Sequence, residues 1–194
     1  MPVEIHPATA QRWADLRTVL CPTENRQTCW CLAWRLTTSE YNSRTADERG
    51  DVMRALVDGD PPPGLLAYVD GEVAGWCNVG PRSAMDRLTG SRTIPPVDDV
   101  PVWSVVCFVV RASHRRRGVA EALLLGAVEH ARKYGAPAIE GYPVDPEGGR
   151  VNPSLAYVGT IGMFERAGFR RLLKTSAKSD RRHRWIVRLD LGEE

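Results

Sequence analysis

The residues with the clearest chemical content form one unbroken segment, Phe108-Val109-Val110-Arg111-Ala112-Ser113-His114-Arg115-Arg116-Arg117-Gly118-Val119-Ala120. The apolar run reads as a buried strand, the basic stretch as a short turn, and the residues after Gly118 as the opening of a helix. The first turn of such a helix presents backbone N–H groups with no intrahelical partner, and the macrodipole adds positive potential there. Gly118 keeps side-chain bulk away from the place where backbone must approach a ligand, while Arg115, Arg116 and Arg117 add charge. This is the physics of a pyrophosphate cradle. It is not a Walker loop, because no Gly-Lys-Ser/Thr follows, and it lacks the three spaced glycines of a dinucleotide fingerprint. The same turn also fits a solvated arginine cluster, or a contact to nucleic-acid phosphates.

A second group of reactive side chains lies nearer the start. Cys21, Cys29 and Cys31 are close in sequence and could meet a metal, yet no CxxC pair is present, which a structural zinc site usually needs. With Cys77 and Cys107 the cysteines number five, an odd count that argues against a disulfide framework and for buried, reduced thiols. No metal is expected.

The elements that must position these residues can be read from periodicity and turn chemistry. Residues 102–110 are almost wholly apolar, as in a central strand buried on both faces. Ala120, Leu123, Leu124, Ala127, Val128 and Ala131 recur at helical spacing, and Gly135 with Pro137 stops that helix. Earlier, 3–5 reads as a strand and 10–20 as a helix, while 21–44 has no clear period. Thr45 and Glu48 have capping-box spacing ahead of a helix over 46–57. Asp70-Gly71 joins strands at 65–69 and 72–79 in a two-residue hairpin. Residues 80–101 read as a long loop, of the kind that is often functional. After a strand at 138–142, Asn152-Pro153 predicts a helix over 152–167, ended by Gly168. Strands at 169–174 and 184–189, joined by a polar stretch, close the chain. The pattern is one mixed α/β or α+β domain spanning 1–194.

Composition removes other classes. The 194 residues carry 26 Lys and Arg against 24 Asp and Glu, a formal net charge of +2, and 43% are hydrophobic. That is too apolar for a disordered chain and too balanced for a nucleic-acid arm. No apolar run approaches the ~20 residues of a membrane span, and the first six residues do not read as a signal peptide. The expectation is a cytoplasmic protein with no membrane partner.

Arg115-x-x-Gly118-x-Ala120 resembles the acetyl-CoA motif of the GNAT superfamily of N-acetyltransferases, Arg/Gln-x-x-Gly-x-Gly/Ala at a strand–turn–helix junction. The resemblance extends to the strand ending at Val110 and to Phe164-Glu165-Arg166-Ala167-Gly168-Phe169, which has the form of the family's late helix running into a Gly-Phe strand start. It covers residues 102–170, and the order of elements fits the whole chain. It implies a mixed, mostly antiparallel sheet, splayed after the central strand at Val110, with helices on both faces.

The resemblance also implies acetyl-CoA as co-substrate and an amine as acceptor. Backbone N–H groups of Arg116, Arg117, Gly118, Val119 and Ala120 would hold the pyrophosphate, with Arg115 beside them. Backbone groups of Phe108, Val109 and Val110 would hold the pantetheine arm and polarise the acetyl carbonyl. The amine would attack the thioester directly, through an oxyanion stabilised by such donors. Phe164 would also border the cofactor, and there the chain departs from the pattern, since the family commonly has a tyrosine that protonates the departing thiolate. Tyr157, seven residues earlier, would share a helical face with Phe164 and is a candidate replacement. Glu140, through a water relay, is the candidate base. Trp30 and Trp34, one helical turn apart, would line the acceptor pocket as an aromatic wall for an apolar or cationic amine. Asp98 and Asp99 could attract that amine. His114 stands at a structural or cofactor-side position, and strand-mediated homodimers are common in the family.

Two other readings remain open on sequence. One is a non-catalytic acyl-CoA-binding sensor of the same fold, favoured by Phe164 and by a central strand without a carboxylate. The other is a nucleic-acid binder using Arg115, Arg116 and Arg117 with Arg181, Arg182, His183 and Arg184, against which the near-neutral charge argues.

Overall fold

A computed structural model describes residues 2–22, 28–146, 148–149, 157–179 and 181–192. Among these residues seven strands form one sheet in the order β1-β2-β3-β4-β5-β7-β6. They are β1 (Val3–Pro7), β2 (Gly64–Val69), β3 (Glu72–Pro81), β4 (Trp103–Val110), β5 (Ala138–Gly141), β6 (Arg170–Ser179) and β7 (Arg182–Asp190). Every pairing is antiparallel except β4 with β5. The β2–β3 turn places Asp70 and Gly71 at φ 53 and 77, the left-handed pair that a tight hairpin requires.

The helices are α1 (Trp13–Leu20), α2 (Thr38–Ser43), α3 (Ala46–Val57), α4 (Asp86–Thr89), α5 (Val119–Lys133) and α6 (Ile161–Arg166). Thr45 caps α3 as its spacing predicts: Glu48 N–H donates to Thr45 Oγ1 at 3.3 Å and Thr45 N–H donates to Glu48 Oε2 at 2.7 Å. The same box, Thr37 with Glu40, starts α2 inside the stretch that has no period. No helix among the described residues is long and apolar enough to cross a membrane.

Alternation along the strands sends side chains to two faces. On one face α5 and α6 pack over Leu65, Val105, Phe108 and Phe169, contributing Leu123, Leu124 and Phe164. The other face carries two clusters. Trp30, Met53, Leu66, Trp76 and Cys107 form one with α1 and α3. Met85, Leu88, Ile94, Val106, Tyr142 and Ile186 form the second beneath the 82–101 segment. That segment is therefore not a bare loop, since α4 and three buried apolar side chains pin it to the sheet.

Two further expectations about the elements differ from the structure. The last two strands are longer than hydropathy suggests, because the polar residues 175–179 and 182–183 lie within them. Lys178 pairs His183 and Ser179 pairs Arg182, and Thr175 Oγ1 donates to the Arg184 carbonyl at 2.7 Å. A hairpin at the sheet margin tolerates polar residues that a central strand would not. The helix expected over 152–167 is α6 alone in its described part. Asn152 and Pro153 lie outside the described residues, and Gly159 at φ 78 and Thr160 at ψ 152 are not helical. Gly168, at φ 89, ends α6 as read from sequence.

Candidate functional site

The basic turn has the geometry of an anion cradle. A single helical turn at Ala112–His114 leads from β4 into Arg115, after which Arg116 adopts φ 60 and Gly118 φ 76. Gly118 is the N-cap of α5, no side chain caps that helix, and its first backbone bond is Ala122 N–H to Gly118 O at 3.0 Å. The amides from Arg116 to Glu121 thus precede the helical ladder. A Cβ built on Gly118 would meet no heavy atom within 4 Å, so open space stands before the cradle. Arg115 Nε donates to the Val110 carbonyl at 3.3 Å, tying the turn to the strand it leaves. His114 is buried and holds the turn from behind, with Ser113 Oγ 2.9 Å from its Nδ1. Gly75 lets α5 approach the sheet: a Cβ there would lie 2.9 Å from the Val109 carbonyl and 3.1 Å from Val119.

The sheet opens beside the cradle. β5 pairs with β4 only over Trp103, Ser104 and Val105, while β4 runs on to Val110. The splay therefore starts after Val105, five residues before the strand end at which the sequence places it. A bulge marks the place: Val79 pairs Val105 and Asn78 pairs Cys107, leaving Val106 as the extra residue. Val106 and Cys107 both face away from α5, and Phe108 returns to the α5 face. Such bulges bend a strand and increase its twist. Beyond it, the Phe108 amide points into the gap and donates to the Tyr157 carbonyl at 2.6 Å. By alternation the Val110 amide faces the same open edge.

Tyr157 and Phe164 do not share a helical face. Tyr157 packs with the cluster on the far side of the sheet, whereas Phe164 is fully buried on the α5 side. Its ring lies edge-on to Phe108 and Phe169, with centroids 6.3 and 5.0 Å away. Cβ atoms built on Gly141 and Gly159 would come within 2.1 and 2.9 Å of that ring, so two glycines make its niche. Phe164 is a core residue beneath the gap, presenting no surface to a cofactor in this arrangement.

Glu140 is enclosed and engaged through both of its oxygens. It is 1% exposed, and Arg188 donates to its Oε1 through Nε at 3.1 Å and Nη2 at 2.7 Å. Tyr142 donates to Oε2 at 3.1 Å, and Arg82 Nη1 lies 3.6 Å from the same oxygen. Asp98 belongs to this network, accepting from Arg188 Nη1 at 2.7 Å and Nη2 at 2.9 Å. The guanidinium beside it holds the Asp98 carboxyl below the usual carboxylate range. Asp98 thus fastens the 82–101 segment to β5 and β7. Asp99 is exposed on that segment.

Trp30 and Trp34 do not form one wall. Trp30, at φ 51, is buried and stacks on Trp13 with centroids 5.4 Å apart. Trp34 packs beside the other cluster, with the guanidiniums of Arg184 and Arg87 over its ring at 5.0 and 5.8 Å. Cys29 and Cys31, which flank Trp30, are free thiols. Cys31 Sγ lies 3.2 Å from Cys107 Sγ, and Cys31 N–H donates to Cys29 Sγ at 3.2 Å. No group of three or more His, Cys, Asp or Glu among the described residues is placed to hold a metal ion.

Comparison with known proteins bears on this geometry. The model of the acetyltransferase (GNAT) family matches residues 27–147, a stretch that contains the bulge, the open edge and the cradle. The chain belongs to the GNAT acetyltransferase family. Three solved structures share the fold of this acetyltransferase. A GNAT-family protein from Desulfovibrio desulfuricans is 20% identical, with 98% of this chain and 100% of that one aligned at a TM-score of 0.54. PaiA N-acetyltransferase from Thermoplasma acidophilum, solved in complex with coenzyme A, is 13% identical over 98% and 99% of the two chains, at 0.55. YncA of Salmonella typhimurium, solved with acetyl-CoA, is 17% identical over 99% and 95%, at 0.56. At these identities the likeness is one of fold. A comparison with curated proteins gives no match.

Within this GNAT domain the structure brings together the residues read around Gly118, and sets Tyr157 apart from Phe164 and Trp30 apart from Trp34. It also brings forward Arg184, which the sequence offers only as part of a basic surface cluster. Arg184 is 4% exposed. The signal available was alternation: Arg182, Arg184, Ile186 and Arg188 occupy every second position of β7 and so share one face of the sheet.

Proposed function

We propose that this acetyltransferase uses acetyl-CoA to acetylate a primary amine by direct attack on the thioester. The observation that carries the reading is the juxtaposition of an uncapped helix start, open space before Gly118 and an unpaired strand edge, all within residues 106–120. Amides from Arg116 to Ala120 suit the pyrophosphate, with Arg115 and the neighbouring guanidiniums adding positive potential. The edge amides of Phe108 and Val110 suit the pantetheine arm and the acetyl oxygen. Acetyl-CoA supplies an activated acyl carbon: the amine nitrogen forms the C–N bond, the C–S bond breaks, the amine loses a proton and the CoA sulfur gains one.

Chain groups divide that work as follows. The Phe108 amide exchanges the Tyr157 carbonyl for an oxygen of the cofactor arm or the developing oxyanion. The Tyr157 phenol, on the face of the sheet away from α5, protonates the departing sulfur. Water, not Glu140, takes the amine proton, since both Glu140 oxygens are engaged by buried donors. The five free cysteines support a reducing compartment, the cytoplasm.

Calorimetric titration of acetyl-CoA and CoA, followed by an amine screen with thiol-release readout, tests the reading. One-to-one binding near the micromolar range, about −8 kcal/mol, with turnover on at least one amine, is the expected result. A second reading, a domain that binds acyl-CoA without catalysis, is favoured by the absence of a hydroxyl at Phe164. Binding with no turnover on any amine would select it, and no binding would remove both.

A further inference from the structure

The face of the sheet away from α5 holds a surplus of buried positive charge. Arg35, Arg49, Arg82, Arg184 and Arg188 are buried there, against Glu140 as the one buried carboxylate among the described residues. Arg82 and Arg188 share Glu140, and Arg188 also takes Asp98. Arg35 is satisfied by neutral acceptors: Nε donates to Asn78 Oδ1 at 3.1 Å, and Nη2 donates to the carbonyls of Pro63 at 2.8 Å and Val79 at 3.2 Å. Arg49 donates to the Tyr41 carbonyl and lies over its ring, and its buried Nε has no hydrogen-bond partner.

Arg49 and Arg184 are the two buried arginines with an unmade bond among the described residues, and of the two Arg184 is the one tied to the segment that reaches the open edge. Its Nε donates to the Tyr142 carbonyl at 2.9 Å, but its buried Nη2 has no hydrogen-bond partner, and no carboxylate pairs with it among the described residues. A buried guanidinium with an unmade bond costs stability, and a ligand that completes the bond would recover that cost. Its position suits an acceptor. Residue Arg184 bridges Val144, Val144 bridges Thr160, and Tyr157 of that same short segment reaches the Phe108 amide on the open edge. The Trp34 ring, already overlaid by Arg184 and Arg87, is a poor seat for a further cation.

We propose that Arg184 is a specificity residue that receives the carboxylate of an amino-acid-type acceptor, whose amine is directed at the open edge of β4. The inference rests on the acetyl-transfer reading above and narrows its substrate class to small amines that also carry a carboxylate. A charged hydrogen bond to an otherwise unpaired buried donor discriminates strongly, because an analogue lacking the carboxylate leaves that donor unmet.

The test compares acetyl-CoA turnover with the twenty α-amino acids, their carboxamides and putrescine, in the wild type and in Arg184→Leu and Arg184→Lys. At least one amino acid should exceed its carboxamide by about 100-fold in kcat/KM. Arg184→Leu should erase that ratio through the KM of the acid, with Arg184→Lys retaining part of it. Acetyl-CoA affinity by calorimetry should be unchanged in both, and the thermal midpoint of Arg184→Leu should hold or rise, because an uncompensated buried charge is removed. Carboxamides or putrescine used as well as the acids would overturn the proposal. So would an acid-to-amide ratio untouched in Arg184→Leu while the midpoint falls, the mark of a merely structural arginine. Acetyl-CoA binding with turnover confined to amines that lack a carboxylate would sink the acceptor class alone. Absence of acetyl-CoA binding in the wild type would sink the reading beneath it.

Discussion

The Tyr157 carbonyl accepts a 2.6 Å hydrogen bond from the Phe108 amide, while the two side chains lie on opposite faces of the sheet. Backbone and side chain of Tyr157 therefore do separable things: one fills the open edge of β4, the other faces the side away from α5. Tyr157→Phe keeps the first and deletes only the phenol. Acetyl-CoA affinity should be unchanged, while kcat falls about 100-fold if the phenol delivers the proton to sulfur. Steady-state kinetics with calorimetry decide it, and an unaltered kcat removes Tyr157 from the chemistry.

Gly118→Val should abolish acetyl-CoA binding in a protein that still folds. At φ 76 a branched side chain is strained, at a cost of about 1–2 kcal/mol, which a domain of this size tolerates. Nothing stands within 4 Å of the added Cβ, so the valine projects into the space the pyrophosphate would fill. Calorimetry on the folded variant checks this, and undiminished affinity would contradict the cradle.

Restoring a hydroxyl by Phe164→Tyr should not raise the rate. The ring is enclosed by Phe108, Phe169, Gly141 and Gly159, so the new hydroxyl is buried against apolar neighbours. A loss of about 1–3 kcal/mol is expected in denaturant unfolding. An increase in kcat would instead place this position at the reacting sulfur.

Glu140→Gln separates a structural carboxylate from a base. Stability should drop by about 3 kcal/mol as Arg82 and Arg188 lose their shared countercharge. Per folded molecule, kcat and its pH profile should stay as in the wild type. A collapse of kcat with stability intact would restore Glu140 as the base.

Asp98 couples the 82–101 segment to pH. Its carboxyl is held below the ordinary range by Arg188, so the folded state binds the proton less readily than the unfolded chain. The contribution is then fully present above the unfolded value, about 3.9, and is lost as pH falls through the folded value. Melting curves recorded from neutral to acid pH should show a steeper acid limb in the wild type than in Asp98→Asn. Parallel limbs would mean that the pair does not fasten the segment.

The sequence was most legible where local chemistry decides structure. Thr45 with Glu48, Asp70-Gly71 and the Gly118 turn each carry their own instructions, and all three form as read. It misled where tertiary context decides. The one helical turn between Trp30 and Trp34 puts them together only if the segment is helical, and left-handed backbone at Trp30 and Cys31 sends the rings to different clusters. Glu140 reads as a possible base until its neighbours are known, because Arg82 and Arg188 are 58 and 48 residues away. Arg184 was hidden for the opposite reason: beside Arg181, Arg182 and His183 it looks like solvent-facing charge, and only strand parity turns it inward.

The bulge at Val106 has a consequence for what changes β4 can absorb. Removing one residue at 106 or 107 would leave Trp103, Val105, Phe108 and Val110 on the α5 face, since the bulge already places two neighbours on the same side. Side-chain identity would survive, and the bend would not. A straight strand would let β5 continue its ladder past Val105 and zip the gap shut. The difference between a sheet that can be entered and one that cannot is thus carried by chain length at a single point, so substitutions there should be borne far better than deletions.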